Sequence, residues 1–275
     1  MKIITIARNP KNSPNMTAND AAILECVSRE LTAMGAEVVA ISETDDIPED
    51  ADIVCHMSRT AEVLQRLKEA EKHGVKVSNT PEAVENCSRI ASMRLLDDNN
   101  IPQPTYRIIE QEEDLTALPF PAWIKRGDGW SCHKDDISFA NNCEDAIRAI
   151  NGMRQRGIES FVYTAHCKGD IVKFYGVGDS YFTYGYPDIE KTKFGLEKIN
   201  GTIKHYPFDA DAMRRIVFDA ARAVGLDIYG GDCIVDEKGE IFLIDLNDFP
   251  SFSSVREEAA KEIANSLMKI KEKNI

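Results

Sequence analysis

The chain has 275 residues and 43% hydrophobic content, which is enough for one large core or for two to three smaller lobes. Its 33 lysines and arginines against 46 aspartates and glutamates give a net charge of −13, so its surface repels nucleic acid and anionic membranes. We find no apolar run of about 18 residues, no export signal and no CxxC spacing among the seven cysteines, and we therefore expect a cytoplasmic protein with reduced thiols and no zinc site.

Residues 1–80 have the pattern of a small, mostly parallel α/β lobe. β-rich runs alternate with two segments whose apolar residues recur three or four positions apart, in the order β-α-β-β-α-β. Thr17 and Asp20 are expected to cap the first helix, and Gly35 to close it. The predicted strands cover 2–7, 37–42, 52–57 and 75–79, and the predicted helices cover 17–34 and 60–73.

The loop after the first strand, residues 8–16, contains neither GxGxxG nor GxxxxGK[ST]. A nucleotide held by one of those phosphate loops is therefore not expected in this lobe. We expect the lobe to pack against the rest of the chain and to supply some contacts to a substrate.

Two further lobes of mixed α and β structure are predicted for residues 81–165 and 166–275. A helix over 81–99 links the first lobe to the second, and two prolines, Pro102 and Pro104, end it. The predicted strands of the two lobes cover 105–110, 121–126, 137–140, 160–165, 170–178 and 180–186, followed by a hairpin over 227–247. Helical patterns cover 143–155, 209–224 and 254–272.

The hairpin ends in more oxygen-bearing side chains than the packing of a strand requires. If the four residues DEKG form its loop, Asp232 faces Leu243. Asp232, Asp245 and Asn247 then share one face, with the two carboxylates as diagonal neighbours roughly 7–8 Å apart at the backbone. Two carboxylates and an amide oxygen are hard ligands that suit Mg²⁺. The alternative is a set of solvated acids at the end of a strand.

Three cations lie inside or beside apolar runs upstream of this hairpin. Lys125 ends a strand, Lys173 lies within a strand, and Arg89 begins a helical segment. Each of them alone could be an edge or snorkelling residue. Together with an acidic face downstream, they favour a site for a magnesium-bound nucleotide.

A polar loop follows Lys125 and contains Gly127, Gly129 and Ser131. Successive backbone N–H groups in such a loop can bind phosphate oxygens. We therefore expect this loop to cover the phosphates of the nucleotide.

Residues 75–270 resemble the ATP-grasp family in the order of their elements. SRIASMRLLDDNNIPQPTYRI is similar to the family's linker helix and Ile-Pro-x-Pro entry, with Arg89 where the first nucleotide cation is commonly lysine. PAWIKRGDGWS resembles the strand and Gly-rich loop that carry the second phosphate-binding lysine, here Lys125, and KFYGVGDSYF resembles the next strand, with Lys173 toward phosphate. GGDCIV and IDLNDFP are similar to the metal-binding segments, with Asp-Leu-Asn in place of Glu-x-Asn.

This resemblance implies an ATP-grasp fold, in which two α+β lobes hold ATP behind an N-terminal Rossmann-like α/β lobe. SFVYTAH is similar to the hinge strand that contacts adenine, which implies that Val162, Tyr163 and Thr164 bind the base. ATP and Mg²⁺ are the implied cofactors. A homodimer is the usual arrangement in the family.

The activity implied is that of a ligase that joins a small carboxylic acid to an amine or thiol through an acyl phosphate. No protein nucleophile is needed, because Mg²⁺ and cationic side chains neutralise charge as the phosphoryl group moves. The resemblance gives catalytic roles to Lys125, Lys173 and Asn247, and metal-binding roles to Asp232, Asp245 and Asn247.

Two alternatives remain open. SCHKDD, KFYGVGD and IDLNDFPSF resemble segments of the inositol-polyphosphate 5/6-kinase-like branch, which implies a kinase acting on a polyol or inositol-like hydroxyl. The second alternative is a nucleotide-binding module without activity, because Arg89 stands where the family commonly has lysine and Asp245 where it has glutamate.

Substrate contacts are expected near the same segments. His133 and Lys134 lie in the loop after Lys125, and Ser251 follows the metal-binding strand. The charged loop over 187–200 carries three lysines, Lys191, Lys193 and Lys198, where ligases for glutamate or peptides often carry arginines.

Overall fold

The structure, a computed structural model, describes residues 1–13, 16–188 and 196–272. These residues form three four-stranded sheets, and one sheet falls within each of the three predicted lobes. All seven cysteines are free thiols. Within the described ranges, no helix is both long enough and apolar enough to cross a membrane.

The first lobe has the predicted order of strands and helices. It contains β1 (Lys2–Ile6), α1 (Thr17–Ala33), β2 (Glu37–Ile41), β3 (Ile53–His56), α2 (Ala61–Lys72) and β4 (Lys76–Ser78). The strands are all parallel and lie in the order β2-β1-β3-β4. Every residue of β3 is buried, as expected for an inner parallel strand that is covered on both faces. The carboxyl ends of β1 and β3 therefore lie side by side, and the loops that follow them are neighbours.

The predicted cap of α1 is wrong. Met16 precedes the helix and makes no side-chain capping bond, and Thr17 Oγ1 donates instead to the Ser13 carbonyl at 3.2 Å. Asp20 is buried, and its Oδ2 accepts a hydrogen bond from Ser13 Oγ at 2.5 Å. Its carboxylate lies 3.7 Å from the Arg8 guanidinium. Asp20 therefore contacts residues before the helix and does not cap the first turn of α1.

The linker consists of two helices, α3 (Pro81–Asn86) and α4 (Arg89–Asp98), where a single helix over 81–99 was predicted. Ser88 is extended (φ −60°, ψ 141°) and separates them. Thr80 caps α3 by accepting from the Ala83 N–H at 3.2 Å. The break makes Arg89 the first residue of α4. From there its side chain reaches Arg126 and Ser131 of the second lobe.

The second lobe is an antiparallel sheet with one helix against it. It contains β5 (Tyr106–Ile109), β6 (Ala122–Arg126), β7 (Ile137–Ala140), α5 (Cys143–Arg154) and β8 (Phe161–Ala165). The strands lie in the order β5-β8-β6-β7, so β8 is an inner strand. Ala146, Ile150 and Met153 are buried on one face of α5, and their spacing of three or four residues is the helical pattern seen in the sequence.

The third lobe is a second antiparallel sheet with longer strands. It contains β9 (Asp170–Val177), β10 (Tyr181–Gly185), α6 (Ala210–Val224), β11 (Ile228–Val235), β12 (Ile241–Asp248) and α7 (Arg256–Glu272). The strands lie in the order β10-β9-β11-β12. α6 covers one face of the sheet, and α7 returns to pack against α1 of the first lobe.

The segment between β12 and α7 ties the third lobe to the first. Phe249 (φ +33°) and Phe252 (φ +48°) both have left-handed backbone conformations, and both side chains are fully buried in the core that α1 and α7 share. Burial of two phenyl groups is a large apolar contribution that holds the chain in this tight path. As a result, Asp248 lies beside the loops that follow β1 and β3 and contacts Arg8 and Arg59 there.

Candidate active site

A cavity of about 970 Å³ opens where the three lobes meet. This volume is at the upper end of the about 300–1,000 Å³ that is usual for ligand pockets. Side chains from the facing sheets of the second and third lobes line one part of it, and loops of the first lobe line the other. The predicted residues among its lining are Arg89, Lys125, Gly129, Ser131, Thr164, Lys173, Asp232, Asp245, Asn247 and Ser251.

The hairpin brings Asp232 and Asp245 closer together than predicted. Cys233 lies opposite Leu243, and a bulge next to this pair places Asp232 directly opposite Asp245. The predicted register, in which Asp232 faces Leu243 and the carboxylates are diagonal neighbours, is wrong by two residues. Val235 pairs with Ile241, so the hairpin loop is one residue longer than DEKG, and the bulge shifts the pairing beyond it by one residue more. Opposed residues share a face of the sheet, so the two carboxylates do lie on one side, with Asn247 two residues further along.

Both carboxylates on this face have partners within the protein. Lys173 lies opposite Asp232 in the sheet, and its Nζ is 2.8 Å from Asp232 Oδ1. Asn247 Nδ2 donates to Asp245 Oδ2 at 2.7 Å, and Arg89 Nη1 lies 3.9 Å from Asp245 Oδ1. Burial opposes ionisation of Asp245, but the charge of Arg89 and the bond from Asn247 outweigh it and hold its pKa below the usual range. Asp245 is therefore a carboxylate at neutral pH.

This donor set fits a magnesium ion. Mg²⁺ is commonly held by one or two carboxylates while phosphate and water oxygens complete its shell. Asp232, Asp245 and the Asn247 side-chain oxygen are the residues that would hold it. Across the described ranges, no group of three or more His, Cys, Asp or Glu side chains is arranged to bind a metal, so the candidate site has two carboxylates only.

Lys125 is a buried cation without an acidic partner. Its side chain lines the cavity from β6 and is 8% exposed, and it makes no ion pair within the described part of the chain. Burial, with a further contribution from the charge of Arg89, lowers the pKa of Lys125 to about 7. A buried lysine costs folding free energy unless an anion offsets its charge, so this position points to an anionic ligand.

Arg89 joins the two halves of the site. Its Nε donates to the Arg126 carbonyl at 3.1 Å, and its Nη2 donates to Ser131 Oγ at 3.1 Å. The same guanidinium approaches Asp245 across the cavity. Arg89 thus connects the loop of the second lobe to the acidic face of the third.

The loop after β6 divides into a packed part and an open part. The Gly127 N–H donates to the Ser160 carbonyl at 2.7 Å, and its carbonyl accepts from the Ile90 N–H at 3.3 Å. Gly127 therefore has no backbone group left for phosphate, which departs from the prediction. Gly129 and Ser131 line the cavity and remain candidates for covering the phosphates.

Replacement of Gly127 by alanine is expected to destabilise the protein by about 1–3 kcal/mol, the usual cost of overpacking. A Cβ there would lie 2.7 Å from Ile90 Cδ1 and would also clash with Ser160 Oγ. Gly129→Ala is the matched control, because a Cβ at Gly129 meets nothing within 4 Å. Urea unfolding of both variants measures the difference, and equal midpoints would contradict the packing described.

The three predicted adenine-binding residues differ in what they can offer a ligand. β8 pairs with β5 on one side and β6 on the other, so the backbone groups of Val162 and Tyr163 belong to the sheet. The Tyr163 hydroxyl donates to the Pro119 carbonyl, away from the cavity lining. Only Thr164 lines the cavity, and its Oγ1 is buried without a hydrogen-bond partner in the described ranges. The connection that follows it contributes Ala165 and Cys167 to the lining.

His133 and Lys134 lie outside the cavity lining. His133 Nδ1 accepts from the Asp135 N–H at 3.2 Å and caps the short 3-10 helix Lys134–Asp136, so its role here is local. Ser251, in contrast, is buried and lines the cavity. Lys191 and Lys193 lie outside the described residues, and Lys198 is exposed.

Sequence reasoning missed four charged residues at the first-lobe end of the cavity. Arg8 follows β1, Arg59 follows β3, Asp20 lies in the first turn of α1, and Asp248 ends β12. Arg8, Arg59 and Asp20 line the cavity, and all four are buried or nearly so. Arg8 and Arg59 could have been found from their positions after β1 and β3, because ligands of open α/β sheets bind beyond the carboxyl ends of the strands.

No protein-family model matches the sequence, and no curated protein matches it either. Solved structures do match over the whole chain. A RimK domain ATP-grasp protein from Sphaerobacter thermophilus is 15% identical, with a TM-score of 0.71 over 98% of this chain and 100% of its own. The D-alanine–D-alanine ligase of Bacillus anthracis is 12% identical, with a TM-score of 0.71 over 100% of both chains.

The ATP-grasp ligase PsnB, solved with a minimal precursor, Mg and ADP, is 16% identical, with a TM-score of 0.65 over 97% of both chains. The Bacillus anthracis ligase has also been solved with ATP. At identities this low, the structural likeness establishes the fold alone. It confirms the prediction of an ATP-grasp architecture with an N-terminal α/β lobe.

Proposed function

We propose that this chain, which has the ATP-grasp fold, is an ATP- and Mg²⁺-dependent ligase that joins a small-molecule carboxylate to an amine or thiol. The observation that carries the proposal is Lys125, a buried lysine without an acidic partner that lines the same cavity as the face formed by Asp232, Asp245 and Asn247. A site with cations on one wall and carboxylates on the other suits a nucleotide bound with a divalent cation.

Each charged residue has a definite task in this proposal. Lys125 and Arg89 bind phosphate oxygens of ATP and offset the charge that develops as the γ-phosphoryl group moves to the substrate carboxylate. Lys173 Nζ lies 2.8 Å from Asp232 Oδ1 and would add a further positive charge near the same phosphates. Bound Mg²⁺ would neutralise phosphate charge and align the phosphoryl group for transfer.

Two considerations favour a ligase over a kinase. The structures that share this fold over nearly the whole chain include a D-alanine–D-alanine ligase and the ligase PsnB. In addition, the first-lobe end of the cavity pairs its two arginines with two aspartates, and this leaves no surplus of positive charge for a polyphosphorylated acceptor.

Product analysis separates the two reactions. The ligase should release ADP and inorganic phosphate in equal amounts, and only when both a carboxylic acid and an amine or thiol are present. Purified protein incubated with Mg·ATP and libraries of acids and nucleophiles gives this ratio directly. ADP formation without free phosphate, together with a phosphorylated product, would show that the kinase alternative is correct.

A further inference from the structure

The first-lobe end of the cavity contains a compact cluster of four charged residues that the nucleotide site does not use. Arg8 and Arg59 come from the loops after two adjacent parallel strands, Asp20 from α1, and Asp248 from the end of β12. Their side chains are 7%, 5%, 7% and 1% exposed, respectively. Charged groups this deeply buried are costly, so their presence beside a cavity calls for a chemical reason.

The two guanidinium groups are fixed in place by the protein. Arg8 donates through Nε to the Met57 carbonyl at 3.2 Å and through Nη2 to the carbonyls of Asp248 and Phe249 at 3.1 and 2.8 Å. Arg59 donates through Nε and Nη2 to Asp248 Oδ1 at 2.8 and 2.5 Å, and its guanidinium carbon lies 4.8 Å from the centroid of the Trp130 ring. Both groups are therefore pre-organised and lose little entropy when they bind a ligand.

One nitrogen of each guanidinium remains available. In the described ranges, neither Arg8 Nη1 nor Arg59 Nη1 has a hydrogen-bond partner. Both residues line the cavity. Planar N–H donors held in this way match the oxygens of a carboxylate.

Asp20 offers the complementary group. Its Oδ2 is bound by Ser13 Oγ at 2.5 Å and lies 3.7 Å from Arg8 Nε. Its Oδ1 has no partner in the part of the chain that the structure describes, and it belongs to a residue that lines the cavity. A buried carboxylate oxygen facing a cavity is suited to accept hydrogen bonds from an ammonium group.

The balance of charge limits what this cluster can bind. Two arginines and two aspartates sum to zero, so a polyanion or a dication would bring charge that nothing in the cluster offsets. A molecule with one positive and one negative group adds no net charge, and it can satisfy the open donors and the open acceptor together.

We propose that Arg8, Arg59 and Asp20 form a subsite for the α-carboxylate and α-ammonium groups of an amino acid. The inference deepens the proposed function, since the amino acid is one of the two molecules to be joined. The remainder of the amino acid then extends along the cavity toward the phosphate-binding residues.

The test measures binding to the full chain with Mg²⁺ and a non-hydrolysable ATP analogue, by saturation-transfer NMR against mixtures of the standard amino acids. We expect at least one amino acid to bind. It should bind about tenfold or more tightly than both its deaminated acid and its decarboxylated amine, because each analogue lacks one charged hydrogen-bonding group. Binding of no amino acid, or equal binding of the amino acid and its deaminated acid, would overturn the proposal.

Asp20→Asn tests the ammonium half of the subsite in a nearly isosteric variant. It should weaken binding of the amino acid about tenfold or more and leave the deaminated acid unaffected. Asp211→Asn is the matched control, because Asp211 is also an acid in the first turn of a helix but is exposed. The assignment of Asp20 is wrong if Asp20→Asn binds the amino acid as tightly as the unmodified protein does, with the same thermal midpoint and the same affinity for the ATP analogue.

Failure of this inference and failure of the proposed function give different results. Selective amino acid binding that is sensitive to Asp20→Asn, but without any release of ADP and phosphate, would support the subsite and contradict the ligase. Release of ADP and phosphate without binding of any amino acid would support the ligase and contradict the subsite.

Discussion

Asp245→Asn is expected to reduce Mg-ATP turnover by about a thousandfold or more and to leave the fold intact. Asp245 faces Arg89, accepts a hydrogen bond from Asn247 and lies opposite Asp232 in the hairpin. Its replacement by an amide removes half of the negative charge available to a divalent cation. Loss of a group that stabilises charge in a transition state commonly costs about 10²–10³ in rate, and loss of a metal ligand adds to this.

Glu237→Gln provides the control for this experiment. Glu237 is exposed in the turn of the same hairpin, so the substitution removes one negative charge without touching the cavity. The two variants should have similar thermal midpoints and very different turnover. If Asp245→Asn turns over at the rate of Glu237→Gln, the metal-binding role of this face is wrong.

Lys125→Met should weaken ATP binding about 10- to 100-fold, because a charged hydrogen bond contributes about 1.5–3 kcal/mol. The same change should stabilise the ligand-free protein at pH 6–7, by on the order of a few kcal/mol, since methionine does not have to be desolvated as a charge. Thermal unfolding and a nucleotide titration of the same samples measure both effects. A variant that binds ATP normally would contradict the phosphate-binding role of Lys125.

The stability difference should also depend on pH in a definite direction. The pKa of Lys125 is about 7 in the folded chain and 10.5 for an unperturbed lysine. Between these pH values the unfolded chain holds a proton that the folded chain has released, so the contribution of Lys125 to stability rises with pH across this window. The advantage of Lys125→Met over the unmodified protein should therefore shrink between about pH 7 and pH 10. An advantage that is constant across this window would mean that Lys125 does not titrate there.

The sequence was sufficient for the order of the strands and helices and for several charged residues that line the central cavity. Helical and strand periodicities are local properties, and they predict the strands of the three sheets and the helix α5. Lys125, Lys173 and Asp245 were identifiable because a charged side chain within an apolar run is unusual wherever the chain folds.

Features set by contacts between distant segments were beyond the sequence. The bulge that places Asp232 opposite Asp245 depends on how the hairpin packs against β9, and the break at Ser88 depends on how α4 docks on the second lobe. The Arg8–Asp248 contact joins residues 240 positions apart in the chain. No local pattern indicates such a pairing, and for this reason the cluster at the first-lobe end of the cavity went unpredicted.

The most direct test of the central claim is a calorimetric titration of a non-hydrolysable ATP analogue into the protein with and without Mg²⁺. If the facing sheets hold a metal-bound nucleotide, the analogue should bind once per chain, and removal of Mg²⁺ should weaken binding about tenfold or more, since the phosphates would then meet Asp232 and Asp245 unshielded. Absence of binding, or binding of equal strength with and without Mg²⁺, would contradict the account.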